Sequence, residues 1–286
     1  MKIAVASGKG GTGKTFVAVN LFRTFNDLGY QTSLTDCDVE VPNAMAFFST
    51  ILANEQIVAD YRPVIDVEKC LFCGRCAEYC EYHAILHVAS SHYIRLLNDL
   101  CHGCGACSIA CKSGAISDSS TMVGKISTYE YEGKVCLAEG RMKPGISSPV
   151  PLIKLAVGEL FSDLFEYHLY DSPPGTSCPF VQTVAKADYV VLVTEPTPFG
   201  LSDLKQAVET LNTIGKPFGV IVNRAGLGDN QVYEYLKEKA IDLLLEIPFD
   251  EEVARLYSEG KIVVDEYALL NGLFKQLSIK LIEKWR

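Results

Sequence analysis

The chain is predicted to be an α/β protein with a doubly wound, mostly parallel sheet, into which a small α+β module is inserted. Three observations predict this. An apolar run, Ile3-Ala4-Val5-Ala6, leads directly into a glycine-rich loop and then a helical stretch. From residue 168 onward, strand-like runs alternate with helical stretches, the signature of a parallel sheet. Between these two regions lies a block that holds eight of the 11 cysteines in two similar runs.

The loop Gly8-Lys9-Gly10-Gly11-Thr12-Gly13-Lys14-Thr15 matches G-x-x-x-x-G-K-[ST], the P-loop that cradles a triphosphate. Backbone N–H groups must approach the phosphates closely, and glycine permits both that approach and the turns it needs. Gly8, Gly10, Gly11, Thr12 and Gly13 supply this backbone, and the dipole of a helix from Lys14 to about Asn26 adds to it. Lys14 is expected on the β and γ phosphates and Thr15 on Mg²⁺, so the expected cofactor is ATP or ADP with Mg²⁺. A second lysine, Lys9, stands at the loop entrance. It suggests a nucleotide closed off by another copy of the chain, hence an ATP-dependent homodimer.

Gln31 to Thr35 reads as the next strand and ends in Asp36-Cys37-Asp38. The cysteine block follows. Its runs are Cys70-x2-Cys73-x2-Cys76-x3-Cys80 and Cys101-x2-Cys104-x2-Cys107-x3-Cys111, repeating at an offset of 31 residues, with Ala84-Ile85 recurring as Ala115-Ile116. This duplication is the pattern of a bacterial two-cluster ferredoxin, in which the fourth cysteine of each run serves the other [4Fe–4S] cluster. Cys70, Cys73, Cys76 and Cys111 are therefore assigned to one cluster, and Cys101, Cys104, Cys107 and Cys80 to the other. Four evenly spaced thiolates suit cubanes better than the paired ligands of zinc sites. Glu81 and Lys112 follow the fourth cysteines, where such ferredoxins usually carry proline. His83, His87, His92 and His102 lie nearby and read as surface or supporting residues, since eight thiolates suffice. The module is placed at residues 61–118, leaving 1–60 and 119–286 as the ATPase domain.

Beyond the insert, Lys125 to Leu137 reads as a β-rich stretch and Pro149 to Leu164 as a helix. Strands are expected at His168–Asp171, Tyr189–Thr194, Gly219–Asn223 and Leu243–Ile247, with helices over 200–214, 229–240, 250–259 and 266–285. Ligands of such sheets sit at the carboxyl ends of strands. The P-loop, Asp38, Asp171, Asn223 and Pro248 all fall there. Asp171, closing its strand before Ser172-Pro173-Pro174-Gly175, is the expected carboxylate partner of Mg²⁺.

The net charge of −9 argues against a broad nucleic-acid surface. No apolar run reaches membrane-spanning length and the chain begins with a strand, so a cytoplasmic protein is expected. Eleven cysteines in such a chain speak for metal ligation over disulfides.

Together these residues resemble the MinD/ParA group of P-loop ATPases with a deviant Walker A loop, part of the SIMIBI class and related to nitrogenase iron protein and the Mrp/Nbp35 iron–sulfur carriers. The resemblance is closest to MinD-superfamily ATPases with an inserted ferredoxin domain. It rests on Gly8 to Thr15, Asp36-Cys37-Asp38, Asp171 to Gly175 and the double cysteine run. It implies that Lys9 reaches the partner subunit's nucleotide, that Asp38 positions the attacking water, and that Asn223 contacts adenine. A lysine acting in trans would leave the monomer a slow ATPase. Cys178 lies seven residues after Asp171, where nitrogenase iron protein has a bridging cysteine, but Ser148 follows Pro144-Gly145-Ile146-Ser147 and the second bridging ligand is missing. Cys37, Cys136 and Cys178 therefore read as spare or buried thiols. Leu270, Leu273, Phe274, Leu277, Leu281 and Trp285 form an apolar stripe flanked by lysines, which suits core packing better than the membrane-targeting helix that ends MinD.

The leading expectation is an ATPase that couples nucleotide state to electron transfer or metallocofactor assembly, with a redox or assembly protein as partner. The alternative is a spatial-positioning or cell-division ATPase whose ferredoxin insert senses redox state. A scaffold that donates labile clusters is a third reading.

Overall fold

A computed structural model describes residues 1–158, 160–161 and 165–284. In chain order its elements are β1 (Lys2–Ala6), α1 (Lys14–Asp27), β2 (Thr32–Asp36), β3 (Ile51–Ile65), α2 (Arg75–Glu78), β4 (Ile85–Val88), β5 (Tyr93–Leu96), α3 (Ala106–Ala110), β6 (Ile116–Tyr131), β7 (Lys134–Met142), α4 (Val150–Ala156), β8 (Tyr167–Asp171), α5 (Cys178–Ala185), β9 (Tyr189–Thr194), α6 (Pro198–Thr213), β10 (Phe218–Ala225), α7 (Gln231–Glu238), β11 (Leu243–Pro248), α8 (Glu251–Ser258), α9 (Val263–Glu266) and α10 (Ala268–Glu283). Two compact units result, one of residues 1–55, 126–141 and 153–286, the other of residues 56–125 and 142–152.

The first unit is a mostly parallel α/β layer structure. Among the described residues the sheet has nine strands in the order β11-β10-β9-β1-β8-β2-β7-β6-β3, with residues 56–65 of β3 and 116–125 of β6 falling in the other unit. β1 pairs in parallel with both β8 and β9, and β2 with both β8 and β7. The register sets Val5 opposite Asp171, and Asp171 opposite Asp36, so the P-loop strand and two carboxylates finish at one edge. β6 and β7 are joined by Glu132-Gly133 with φ 49° and 79°, a turn with two positive φ angles whose twist suits a tight hairpin. The stretch 125–137, expected as one β-rich region, is therefore the end of one strand, this turn and the start of the next.

The core explains the helices. Phe16, Phe22 and Phe25 project from α1 onto Ile3, Val5, Leu34 and Leu169. α10 packs on α1, with the Phe16 and Phe274 rings edge to face at 6.0 Å. Leu270, Phe274, Leu277 and Leu281 of the C-terminal stripe are buried in this core, and Leu273 packs against it. The stripe is thus used inside the unit; Trp285 lies outside the described residues. Among the described residues no helix is long and apolar enough to cross a membrane. The region 266–285 divides into α9 and α10 around Tyr267. α4 ends at Ala156, and the rest of the helix expected to 164 falls partly outside the described residues.

The second unit is small. β4 and β5 form an antiparallel pair, and the short helices α2 and α3 follow Gly74 and Gly105 at equivalent points of the repeat. Its core is Cys76, Ile85, Ile94 and Cys107, with Ile65, Phe72, Leu96 and Ile116 packed on it. Two of the four buried residues in this cluster are cysteines.

Candidate functional site

The nucleotide site is a cavity of about 490 Å³ in the first unit, within the usual range for small-molecule pockets. Its floor is the loop, with Gly10, Gly11, Gly13, Lys14 and Thr15; its walls include Asp38, Asn43, Asn223, Pro248 and Asp250. Every one of these lies where a strand or its following loop meets the carboxyl edge of the sheet. A larger groove, about 1170 Å³, lies at the opposite ends of β9 and β10. It has no glycine-rich backbone, and its lysines are engaged: Lys216 donates to the Ala187 carbonyl at 2.8 Å and Lys284 to Asp242 at 2.6 Å.

The loop is braced from a distant strand. Asn223, at the end of β10, donates from Nδ2 to the Thr12 carbonyl at 2.8 Å. Gly13 has φ 97°, and a Cβ there would lie 2.4 Å from that same Nδ2. Only glycine meets both demands. Asn223 thus shapes the loop as well as lining the cavity, where contact with adenine was expected.

Around Lys14 the electrostatics are acidic. Lys14 is buried, and burial pulls its ammonium below the usual lysine range while Asp171, Asp38 and Asp36 pull it back up. Asp171 is buried beside Asp36, and burial pushes its carboxyl well up, with Asp36 adding to the push. Its Oδ2 accepts from Thr15 Oγ1 at 2.6 Å. Its Oδ1 is buried without a hydrogen-bond partner, as is Thr12 Oγ1. A buried carboxylate oxygen left unpaired beside a threonine hydroxyl fits a hard divalent cation, which takes oxygen ligands and offsets the clustered negative charge. Thr15 and Asp171 are the residues that would hold it, directly or through water. Asp38 lines the cavity, and burial shifts its carboxyl upward.

Asp36 is a residue that sequence reasoning passed over in favour of Asp38. Its carboxylate accepts from the backbone N–H groups of Asp38 at 3.0 Å, Asn43 at 2.8 Å and Ala44 at 2.9 Å. It fixes the turn that carries Asp38 to the cavity wall. Burial nevertheless raises it to about 6. The signal available was position: Asp36 closes the fully buried β2, whereas Asp38 lies beyond its end.

Lys9 does not point into its own cavity. Its ammonium lies 3.8 Å from Glu195 and 4.0 Å from Asp203, and Glu195 also takes Arg224 at 2.5 Å. Of the leftover cysteines, Cys37 and Cys136 are buried and Cys178 is exposed at the start of α5. Burial, with Asp36 next, pushes the Cys37 thiol well up, which keeps it a poor nucleophile and ligand.

In the second unit the eight repeat cysteines fall into two sets. One small cavity is lined by Cys70, Cys73, Cys76 and Cys111; a second is lined by Cys80, Cys101, Cys104 and Cys107. Backbone N–H groups already point at sulfur, from Phe72 to Cys70 at 3.4 Å and from Ala84 to Cys80 at 3.2 Å. Among the described residues no three His, Cys, Asp or Glu side chains converge as a single metal ion requires. Four thiols around a cavity, with donors aimed at sulfur, fit a larger thiolate-bound group.

The sheet order, the loop and the acid-ringed lysine define the class as a P-loop α/β protein. The chain belongs to the CobQ/CobB/MinD/ParA nucleotide-binding domain family, which it matches over residues 3–264. It is 30% identical over 267 residues to an uncharacterised protein of Methanocaldococcus jannaschii, covering 91% of this chain and 90% of that one. It is 26% identical over 286 residues to an iron–sulfur cluster carrier protein of Aquifex aeolicus, covering 92% of this chain and 61% of that protein. Its fold is similar to that of the septum site-determining protein MinD complexed with Mg-ADP from Pyrococcus horikoshii, with TM-score 0.59 and 18% identity over 98% of this chain and 95% of that one. At that identity the likeness speaks for the fold alone.

Proposed function

We propose that this protein is an ATP-hydrolysing iron–sulfur protein, in which nucleotide state is coupled to electron transfer or to metallocofactor assembly. The observation that carries the reading is the presence in one chain of two sets of chemistry. One is a phosphate loop whose Thr15 and Asp171 leave a cation site. The other is eight cysteines sorted into two cavities of four, with membership that crosses the two runs as two-cluster ligation requires. The cofactors are ATP or ADP with Mg²⁺ and two [4Fe–4S] clusters. Lys14 contacts the β and γ phosphates, Asp38 orients the attacking water and Asn223 meets the adenine while holding the loop. Lys9 leaves its ion pairs to reach the nucleotide of a second copy, so that hydrolysis reports the dimer. The cysteine-bearing residues 61–118 act as a ferredoxin-like insert.

An anaerobic experiment tests both halves together. ATP hydrolysis and the EPR spectrum are measured on one reconstituted sample, oxidised and reduced, with and without nucleotide. The reading expects about eight irons per chain and a nucleotide-dependent change in signal, potential or partner binding. Full iron content with no such change would leave two independent sites and remove the coupling.

A second reading is a spatial-positioning ATPase with a redox-sensing insert, supported by membership of the family that includes MinD and ParA. ATP-dependent association with membrane or filament would select it. The relative named as a cluster carrier raises a third, delivery of clusters to apoproteins. Rapid transfer to an apoprotein would select that one.

A further inference from the structure

The two cysteine cavities come from one repeat, so a position around one has a counterpart 31 residues along the chain around the other. Their apolar frames agree. Leu96 answers to Ile65 and Ile116 to Ile85, and all four line their respective cavities. Their charges do not agree. Arg75, just before Cys76, lines the cavity of Cys70, Cys73, Cys76 and Cys111, whereas its counterpart Ala106, just before Cys107, lines the other. Lys112 directly follows Cys111, and its counterpart Glu81 directly follows Cys80. The fourth cysteine of each run lines the other run's cavity, so both cations fall beside the first set of thiols and the carboxylate beside the second.

The surroundings leave this difference standing. Among the described residues neither Arg75 nor Lys112 has an ion pair, although Glu78 lies one turn along α2 from Arg75. Lys69, before Cys70, is offset by Asp66 at 2.9 Å. Near the second set, Asp60 lies against Gly103, where a Cβ would be 2.4 Å from its Oδ2, but the buried Arg62 pairs with it at 3.4 Å. Two unpaired cations thus adjoin one set and one unpaired carboxylate the other. Reduction of a cluster adds one electron, and so one negative charge, to its thiolate-bound core. A cation nearby stabilises that charge and an anion opposes it, and net charge is one of the levers that set cluster potentials. Arg75 and Lys112 are exposed, so salt screens their effect.

We propose that Arg75 and Lys112 make the two clusters inequivalent, giving the one held by Cys70, Cys73, Cys76 and Cys111 the higher potential, so that the first electron from a low-potential reductant comes to rest there. The proposal rests on reading these cysteines as cluster ligands. The test is an EPR-monitored dithionite titration of the full chain at low and high salt, with iron counted on the same samples. The wild type should titrate in two steps, drawn together by high salt. Arg75→Gln should lower the upper midpoint about threefold in the reduction equilibrium, or about 30 mV for one electron, and leave the lower one in place. Adding Lys112→Gln should bring the change to about tenfold, or about 59 mV. Arg75→Lys keeps the charge and should leave both midpoints in place. With full iron, a single step in the wild type, no shift in Arg75→Gln, a shift of the lower midpoint or of both equally, or an equal shift in Arg75→Lys would overturn the proposal. Should Arg75→Gln lose iron, the wild-type salt series decides, and a separation that salt leaves unchanged overturns it. A wild-type chain that takes up no iron on reconstitution would instead remove the ligand reading beneath it.

Discussion

Gly13→Ala probes how the loop is held. The new methyl meets two obstacles. At φ 97° an L-residue is strained, at about 1–2 kcal/mol. The Cβ would also sit 2.4 Å from Asn223 Nδ2, so the amide must swing away and give up its 2.8 Å bond to the Thr12 carbonyl. A lost bond of this kind costs about 0.5–1.5 kcal/mol. Together the substitution should destabilise the unit by about 2–3 kcal/mol. Asn223→Ala alone loses the bond and costs about 1 kcal/mol. In the double variant the bond is lost only once and the clash is gone. The two costs should therefore fail to add, by about 1 kcal/mol. Anaerobic urea unfolding followed by circular dichroism measures the cycle, and a fluorescent ATP analogue measures the binding that the same changes should weaken. If Gly13→Ala unfolds at the wild-type midpoint, or if the two costs simply add, Asn223 does not brace the loop.

Four further outcomes follow from the site and the core. Lys9→Ala should leave nucleotide binding intact and cost less than about 1 kcal/mol in stability, since its ion pairs are long and partly exposed, yet lower hydrolysis on the order of 10³-fold; survival of hydrolysis would end the two-subunit role. Asp36 holds its proton to about 6 when folded, against about 3.9 unfolded, so nucleotide-free stability should be lost as pH rises from about 4 to about 6, by about 3 kcal/mol from this group. Asp36→Asn should flatten that part of the profile, and an unchanged slope in pH-dependent melts would count against it. Phe274→Ala, in the buried stripe of α10, should cost about 3–5 kcal/mol in a chemical melt. The intact chain should not sediment with anionic liposomes, because that face is already covered.

Much of the first unit was legible because its signals are local. The apolar run before Gly8 is β1, and the glycines and Lys14 open α1 as the motif demands. The strands β8 to β11 announced themselves as short apolar or aromatic runs set between helical stretches. What escaped depends on partners far along the chain. β3 carries a polar middle and Pro63, with no clean alternation, so only its neighbours in the sheet make it a strand. α5 begins with Cys178-Pro179, which reads locally as a continuation of the Pro-Pro-Gly turn, although proline is at home in a helix's first turn. The in-chain partners of Lys9, Glu195 and Asp203, are nearly 200 residues away, and no spacing rule could have supplied them. In the candidate site, the crossed four-plus-four assignment of cysteines came from the ferredoxin pattern, in which the fourth cysteine of each run serves the other set. The choice of Asp38 over Asp36 could not show that the second carboxylate holds the first in place.

The place of β1 in the sheet has a consequence for synthesis. β1 is made well before β8 and β9, yet it lies between them, and their residues leave the ribosome more than 160 positions later. Until then its apolar run has no neighbour on either side, and an unpaired apolar strand is a hazard for misassembly. The brace from Asn223 arrives later still. A nascent chain therefore carries its phosphate loop long before it can finish it, which waits until β10 has emerged. Any fragment ending before β10 should retain the motif in its sequence and lack the braced loop in its structure.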